Sequence, residues 1–155
     1  MAMLYDNVQI SASPQQPQTV HLHPHIAILP MIPIALNRLL LTGAAGGLGR
    51  QLRTRLKGCC QILRVSDIAD LGAAAPGEEL HSARLEDHAA VHALLAGVDA
   101  VVHLGGVSTE QPFDRILQAN IVGAFNLYEA ARVHGTQRIV FASSNHVTGF
   151  YRQDE

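Results

Sequence analysis

The sequence predicts an α/β fold, a doubly wound parallel sheet, and three observations predict it. Short apolar runs suited to strands covered on both faces recur at 39–41, 61–65, 99–104 and 138–142. Segments with apolar residues at helical spacing lie between them, at 48–56, 87–95 and 113–134. A turn carrying Gly43, Gly46 and Gly49 joins the first run to the first helical segment. Strands that alternate with helices pair in parallel, with crossovers packed on both faces.

The chain is organised around 38–57, which reads R-L-L-L-T-G-A-A-G-G-L-G-R-Q-L-R-T-R-L-K. Glycines let the backbone turn tightly and let a ligand come close. The helix that follows starts with free N–H groups at the positive end of its dipole, so a pyrophosphate is a natural guest. Leu48, Leu52 and Leu56 form its predicted apolar stripe. Taken alone, glycines at this spacing also fit an ordinary tight turn. The second strand ends at Ser66-Asp67, and Asp67 lies 18 residues after Gly49. That is where a dinucleotide-binding unit of the Rossmann type expects a carboxylate for the ribose hydroxyls. An acid there repels a 2′-phosphate, so NAD is expected over NADP; a solvated loop carboxylate is the plainer alternative.

The 155 residues are one domain's worth of chain. A net charge of −2 gives no reason to expect nucleic acid or an anionic membrane as partner. Cys59 and Cys60 are too few for a disulfide framework or metal site and suit a reducing cytoplasm. Residues 1–36 differ from the rest, with five of the seven prolines and one charge, Asp6. The apolar stretch 26–36, interrupted by Pro30 and Pro33, is too short to span a bilayer. It is also a poor signal peptide. His21, His23 and His25 lack a helix to organise them for metal, and no metal site is expected. The expectation is a disordered leader over 1–36, or translation starting at Met31, ahead of a cofactor domain over 37–155. Removing 1–30 should then change little.

After a loop, 79–85 is predicted as the third strand. Asp87 is placed to cap a helix over 87–95 that turns Val91, Leu94 and Leu95 inward, with Gly97 ending it. The fourth strand, 99–104, carries Gly105-Gly106 at its carboxyl end, where open parallel sheets place ligands. The longest helix, 113–134, has an apolar stripe of Phe113, Ile116, Leu117, Ile121, Ala124, Leu127, Tyr128 and Ala131. Asn120 shares the stripe, either as a helix-to-loop tether or as a site residue. Gly135 closes the helix. The strand 138–142 then delivers Ser143, Ser144, Asn145 and His146 to the ligand edge. Arg50, Arg53, Arg55 and Lys57 are expected to form a solvated face.

The pieces T-G-A-A-G-G-L-G, H-L-G-G, N-I-V-G-A-F-N-L-Y-E-A-A-R and F-A-S-S-N-H together resemble the extended short-chain dehydrogenase/reductase superfamily. H-L-G-G-V-S, I-L-Q-A-N-I-V-G and R-I-V-F-A-S-S-N-H are similar, more narrowly, to the uronate dehydrogenases within it. The resemblance covers 38–151. It implies NAD contacts from Gly43, Gly46, Gly47, Leu48 and Gly49 in the phosphate turn. Asp67 and Ile68 would meet the adenosine ribose end, Leu85 would flank the adenine, and His103, Leu104, Gly105 and Gly106 would cover the cofactor. Ser144 matches the catalytic serine that hydrogen-bonds the reacting hydroxyl. Ser108, Asn145 and His146 match positions that hold a sugar acid. Such an enzyme passes hydride from C1 of galacturonate or glucuronate to NAD, giving an aldaric acid lactone.

Two departures accompany the resemblance. Arg84 stands where relatives often carry an aspartate that reaches the adenine amine. The superfamily's Tyr-x-x-x-Lys pair, in which lysine lowers the tyrosine pKa for general-base work, has no counterpart. Lys57 is the sole lysine, and Glu155 lies four places after Tyr151. The expectation is therefore the N-terminal part of a cofactor domain, incomplete at the C-terminus and inactive alone, whose full-length form pairs as a homo-oligomer. Two alternatives are a nucleotide-sugar epimerase or dehydratase of the same superfamily, and a non-catalytic NAD-binding module.

Overall fold

The structure, a computed structural model, describes residues 36–144. The expectations for the leader, the His21, His23 and His25 triplet, Met31, Asn145, His146 and Tyr151 lie outside the described residues.

The elements run β1 (Leu36–Thr42), α1 (Gly47–Arg55), β2 (Cys60–Asp67), β3 (Glu78–Ser82), α2 (His88–Leu95) and β4 (Ala100–His103). A helical run follows as α3 (Phe113–Ile116), a π-helical segment (Leu117–Val122) and α4 (Gly123–His134), and the last element is β5 (Arg138–Phe141). The strands form one sheet in the order β3-β2-β1-β4-β5. Every adjacent pair is parallel. The chain winds outward from β1 through β2 to β3, then crosses back to β4 and β5. The winding direction therefore reverses between β1 and β4, as the doubly wound expectation requires. No helix among the described residues is long and apolar enough to cross a membrane.

The alternation of side chains along β1 builds a core on each face. Leu40 packs with Val101 of β4, with Val91, Leu94 and Leu95 of α2, and with Leu127, Ala130 and Ala131 of α4. Leu39 and Leu41 point the other way, into a cluster with Leu63, Val65 and Ala100 that Leu52 and Leu56 cover. Leu48 does not join that cover: it is 57% exposed. The line facing the sheet is Gly49, Leu52 and Leu56, because α1 approaches the turn so closely that only glycine fits at its start. A Cβ on Gly49 would collide with the Gly43 carbonyl oxygen and meet Ala44 Cα at 2.8 Å.

Three further expectations are corrected. β3 stops at Ser82, where its partner β2 stops, since the last pair in register is Asp67 with Ser82. Residues 83–86 leave the sheet and turn into a cleft. The apolar stripe drawn from Phe113 does not run straight: Phe113, Ile121 and Tyr128 are exposed. The buried residues of α4 are Gly123, Asn126, Leu127, Ala130 and Ala131. A π turn inserts an extra residue into the helical repeat, so a 3.6-residue stripe cannot be carried across it. The face beyond it must also be small where α4 meets Leu85, for a Cβ on Gly123 would lie 2.6 Å from that side chain. Lastly, Arg53 is not solvated. It pairs with Glu78 at 2.8 Å and donates to the carbonyls of Leu71 and Ala73, tying α1 to the loop between β2 and β3.

At the amino end of the sheet a buried guanidinium locks three elements together. Arg64 of β2 donates to the Leu94 and Ala96 carbonyls at the end of α2 and to Glu79 of β3. Arg38 of β1 reaches the other oxygen of Glu79. Asp87 caps α2 through the Ala90 N–H, and Gly135 ends α4 in the left-handed conformation.

Candidate functional site

Where the winding reverses, the loops after β1 and β4 separate and leave a cleft at the carboxyl ends of the strands. Its volume is about 980 Å³, near the upper end of what small-molecule sites occupy. The turn after β1 forms its floor. Gly43 has φ +69°, and a Cβ there would stand 2.7 Å from the Leu104 carbonyl carbon, so the turn and the β4 loop touch through bare backbone. Gly46 caps α1 without a side chain. The N–H groups of the first helical turn therefore have no capping acceptor and face the cleft end of the dipole.

Asp67, the last residue of β2, holds its carboxylate across that turn. Oδ2 accepts the Ala45 N–H at 2.9 Å and Oδ1 the Ala69 N–H at 3.0 Å. Each oxygen keeps a further lone pair for a ligand hydroxyl.

The β4 loop is anchored twice. Thr42 Oγ1 accepts the Gly105 N–H at 3.1 Å and lies 2.6 Å from His103 Nδ1. A neutral imidazole satisfies this contact in either tautomer, with Nδ1 accepting from the Thr42 hydroxyl or donating to its oxygen. Burial pushes the His103 pKa down to about 4, consistent with that neutral form. The second anchor is Asn120 in the π-helical segment. Its Oδ1 accepts the Val107 N–H at 2.7 Å and its Nδ2 donates to the Val107 carbonyl at 2.9 Å. Of the two roles open to Asn120, the geometry is that of a tether.

Gly43, Gly46, Asp67, Ile68, Leu85, Leu104, Gly105, Gly106 and Ser108 are brought together along the cleft. Gly47, Leu48, Gly49 and His103 are not among its lining. Gly49 is buried against the turn, and Leu48 points to solvent. His103 is 2% exposed and stacks on Phe141, with ring centroids 5.5 Å apart. It supports the β4 loop from beneath, enclosed by Thr42 and Phe141. Ser144 lies three residues beyond β5, exposed. The Ala142 N–H donates to the His103 carbonyl and carries the β5 course toward the cleft edge. Asn145 and His146 lie outside the described residues.

Sequence reasoning missed Thr42, Arg115 and Gln118. The signal for Thr42 was a hydroxyl directly before a glycine that must be left-handed. The signal for the other two was their i, i+3 spacing at the head of the long helix, beside the cleft. Among the described residues no group of three or more His, Cys, Asp or Glu side chains is arranged to hold a metal ion.

A parallel sheet in this order, with an uncapped glycine turn at the switch point and a carboxylate ending the next strand, defines a dinucleotide-binding α/β domain. The chain belongs to the NAD dependent epimerase/dehydratase family, whose profile matches residues 39–155. It is 63% identical over 120 residues to the uronate dehydrogenase of Pseudomonas putida, covering 77% of this chain and 45% of that protein. The structure of a mutant uronate dehydrogenase from Agrobacterium tumefaciens complexed with NAD superimposes with a TM-score of 0.74 at 57% identity. That match covers 77% of this chain and 45% of the other. A glucuronic acid dehydrogenase from Chromohalobacter salexigens gives a TM-score of 0.73 at 58% identity, over 75% of this chain and 44% of that one. The chain thus spans less than half the length of the curated relatives it matches.

Proposed function

We propose that this chain is the NAD-binding part of a uronate dehydrogenase, an enzyme that oxidises C1 of galacturonate or glucuronate to an aldaric acid lactone. The observation that carries the cofactor assignment is Asp67, fixed by the Ala45 and Ala69 N–H groups beside an uncapped helix terminus. The cleft fits a dinucleotide. Its phosphate end is bare backbone at Gly43 and Gly46, its ribose end is a carboxylate with free lone pairs, and Leu85 and Ile68 offer apolar flanks. NAD, when bound, supplies the hydride acceptor.

The chain's own residues have distinct parts. The α1 terminus and the turn hold the pyrophosphate by N–H donation and the helix dipole. Asp67 accepts from the ribose hydroxyls and repels a 2′-phosphate. Thr42 and Asn120 hold the β4 loop, so that Gly105, Gly106 and Ser108 keep their place along the cleft. Ser144 orients the reacting hydroxyl. Ser108, Asn145 and His146 are assigned to the sugar acid, as in the uronate dehydrogenases that this chain resembles.

A serine orients a hydroxyl without removing its proton, and Lys57 follows α1, away from Ser144 in the sequence. The 155 residues alone should therefore bind NAD and not turn over uronates. The test is calorimetric titration with NAD and NADP, followed by an NADH assay with galacturonate. The expected result is binding of NAD at least about tenfold tighter than NADP, from like-charge repulsion at Asp67, and no NADH. Equal affinities would remove Asp67 from its assigned role, and NADH production would show that a base is present. The small-molecule substrate is a uronate, and the protein works in the cytoplasm.

A further inference from the structure

Where α2 packs beside α4, three imidazoles gather that the proposed function does not use. His88 and His92 of α2 stand at i and i+4, which puts both rings on one face of the helix. Their ring centroids are 4.4 Å apart, with the planes tilted by 38°. His134, at the end of α4, lies against His92 with centroids 5.5 Å apart. His88 and His134 are exposed and His92 is half-buried, so ions in solution can reach the group. Among the described residues neither ring of the α2 pair takes part in a hydrogen bond or ion pair. Neither residue lines the cleft. The acid beside the pair is Glu129 of α4. Its carboxyl is held below the usual range by the Arg132 hydrogen bond first, and by His92 and His88 after it.

Two neutral imidazoles one helical turn apart form a chelating pair, because each offers a ring nitrogen and the helix fixes their separation. Imidazole suits copper, nickel and zinc, and affinity among the divalent ions peaks at copper(II). We propose that His88 and His92 form a two-imidazole site for a divalent transition metal ion, copper(II) ahead of nickel(II) and zinc(II), on the accessible face of α2. Among the described residues no group of three or more His, Cys, Asp or Glu is set for a metal. Water or a small chelator therefore fills the other positions on the ion. His134 confines the His92 ring and is not a ligand. The ion sits near the positive end of the α2 dipole, which opposes it. Asp87, which caps that end through the Ala90 N–H, and Glu129 bring negative charge to offset the dipole. Arg132 pairs with Glu129 and tempers its share. An ion held by both rings exists only on the formed helix, so it stabilises the folded chain. The site is independent of the dinucleotide reading.

The probe is copper(II) nitrilotriacetate, a chelate with two adjacent open positions that a histidine pair can fill together. The H-L-H-P-H segment is a competing binder, so the full chain first receives His21→Ala, His23→Ala and His25→Ala. In that background the copper chelate should raise the melting temperature followed by circular dichroism. Adding His88→Ala or His92→Ala should abolish the rise and weaken the affinity measured by calorimetry about tenfold or more, since one ligand then binds alone. Adding His134→Ala should leave most of the affinity in place. Melting curves without copper should coincide for all these proteins, because the substituted rings carry no hydrogen bond. Copper bound with no rise in melting temperature, or a rise that survives His92→Ala, overturns the site. A loss in His134→Ala as large as in His92→Ala overturns the assignment to the α2 pair.

Discussion

His103 shows how one side chain can serve a site it does not touch. Its ring is enclosed between Thr42 and Phe141 and stays neutral, with a pKa of about 4 against an ordinary 6.5. A base whose pKa is lower in the fold than in the unfolded chain makes the unfolded chain take up more protons as pH falls. The stability associated with neutral His103 is therefore complete above pH 6.5 and is lost progressively down to pH 4. The full loss is about 3 kcal/mol. Urea unfolding of the unaltered protein and of His103→Asn across that range should show the pH-dependent difference. Parallel profiles would refute the buried neutral imidazole. A second contrast tests the turn. Gly49→Ala drives a methyl group into the Gly43 carbonyl and the Ala44 backbone, neither of which is a flexible side-chain end. It should destabilise by about 3 kcal/mol or more and weaken NAD binding. Nothing lies within 4 Å of a Cβ on Gly47, so Gly47→Ala should leave thermal stability level or raised.

At the scale of elements, the buried guanidinium of Arg64 joins β2 and β3 to the carbonyl end of α2. Arg64→Met leaves the Leu94 and Ala96 carbonyls and one oxygen of Glu79 without their donor, while Arg38 still pairs the other oxygen. The loss should be about 1–3 kcal/mol, since Glu79 keeps a cationic partner and some contact with water. Combining it with Glu79→Gln tests the coupling: strict additivity of the two changes would argue against a shared network. Elements of this sheet were legible in the sequence where local pattern and tertiary role agree. Leu39, Leu40 and Leu41, the glycine spacing and Asp87 each announce a strand, a turn and a cap on their own. Where the neighbour decides, the pattern misled. β3 ends because β2 ends, and the faces of α4 depend on a π turn that leaves no hydrophobic period of its own. Of the cleft lining, the positions of Asp67 and the paired glycines were legible because they stand at the carboxyl ends of strands that the apolar runs announce. The placement of His103 was not, since its enclosure is made by Thr42 and Phe141, distant in sequence.

At the scale of the whole molecule, the sheet consists of two wings that meet only where β1 pairs with β4. One wing, β1 to β3, carries the turn and Asp67; the other, β4 and β5, carries Gly105, Gly106 and the course to Ser144. A dinucleotide laid across the switch point touches both wings and ties the junction from above. Binding to the folded chain alone stabilises it by about 2.7 kcal/mol when NAD is a hundredfold above its dissociation constant, a rise in melting temperature of roughly 5–10 °C. Any ligand that prefers the fold raises the melting point, so the distribution of protection carries the sharper test. Hydrogen exchange with NAD present should slow together at 43–46, 67–69 and 104–108, loops that belong to both wings. ADP, which lacks the nicotinamide half, should slow 43–46 and 67–69 and leave 104–108 unchanged. Protection of 104–108 by ADP would mean that the β4 loop answers to general tightening of the domain. Its absence with NAD would mean that the nicotinamide half lies elsewhere, and that Thr42 and Asn120 hold their loop for packing alone.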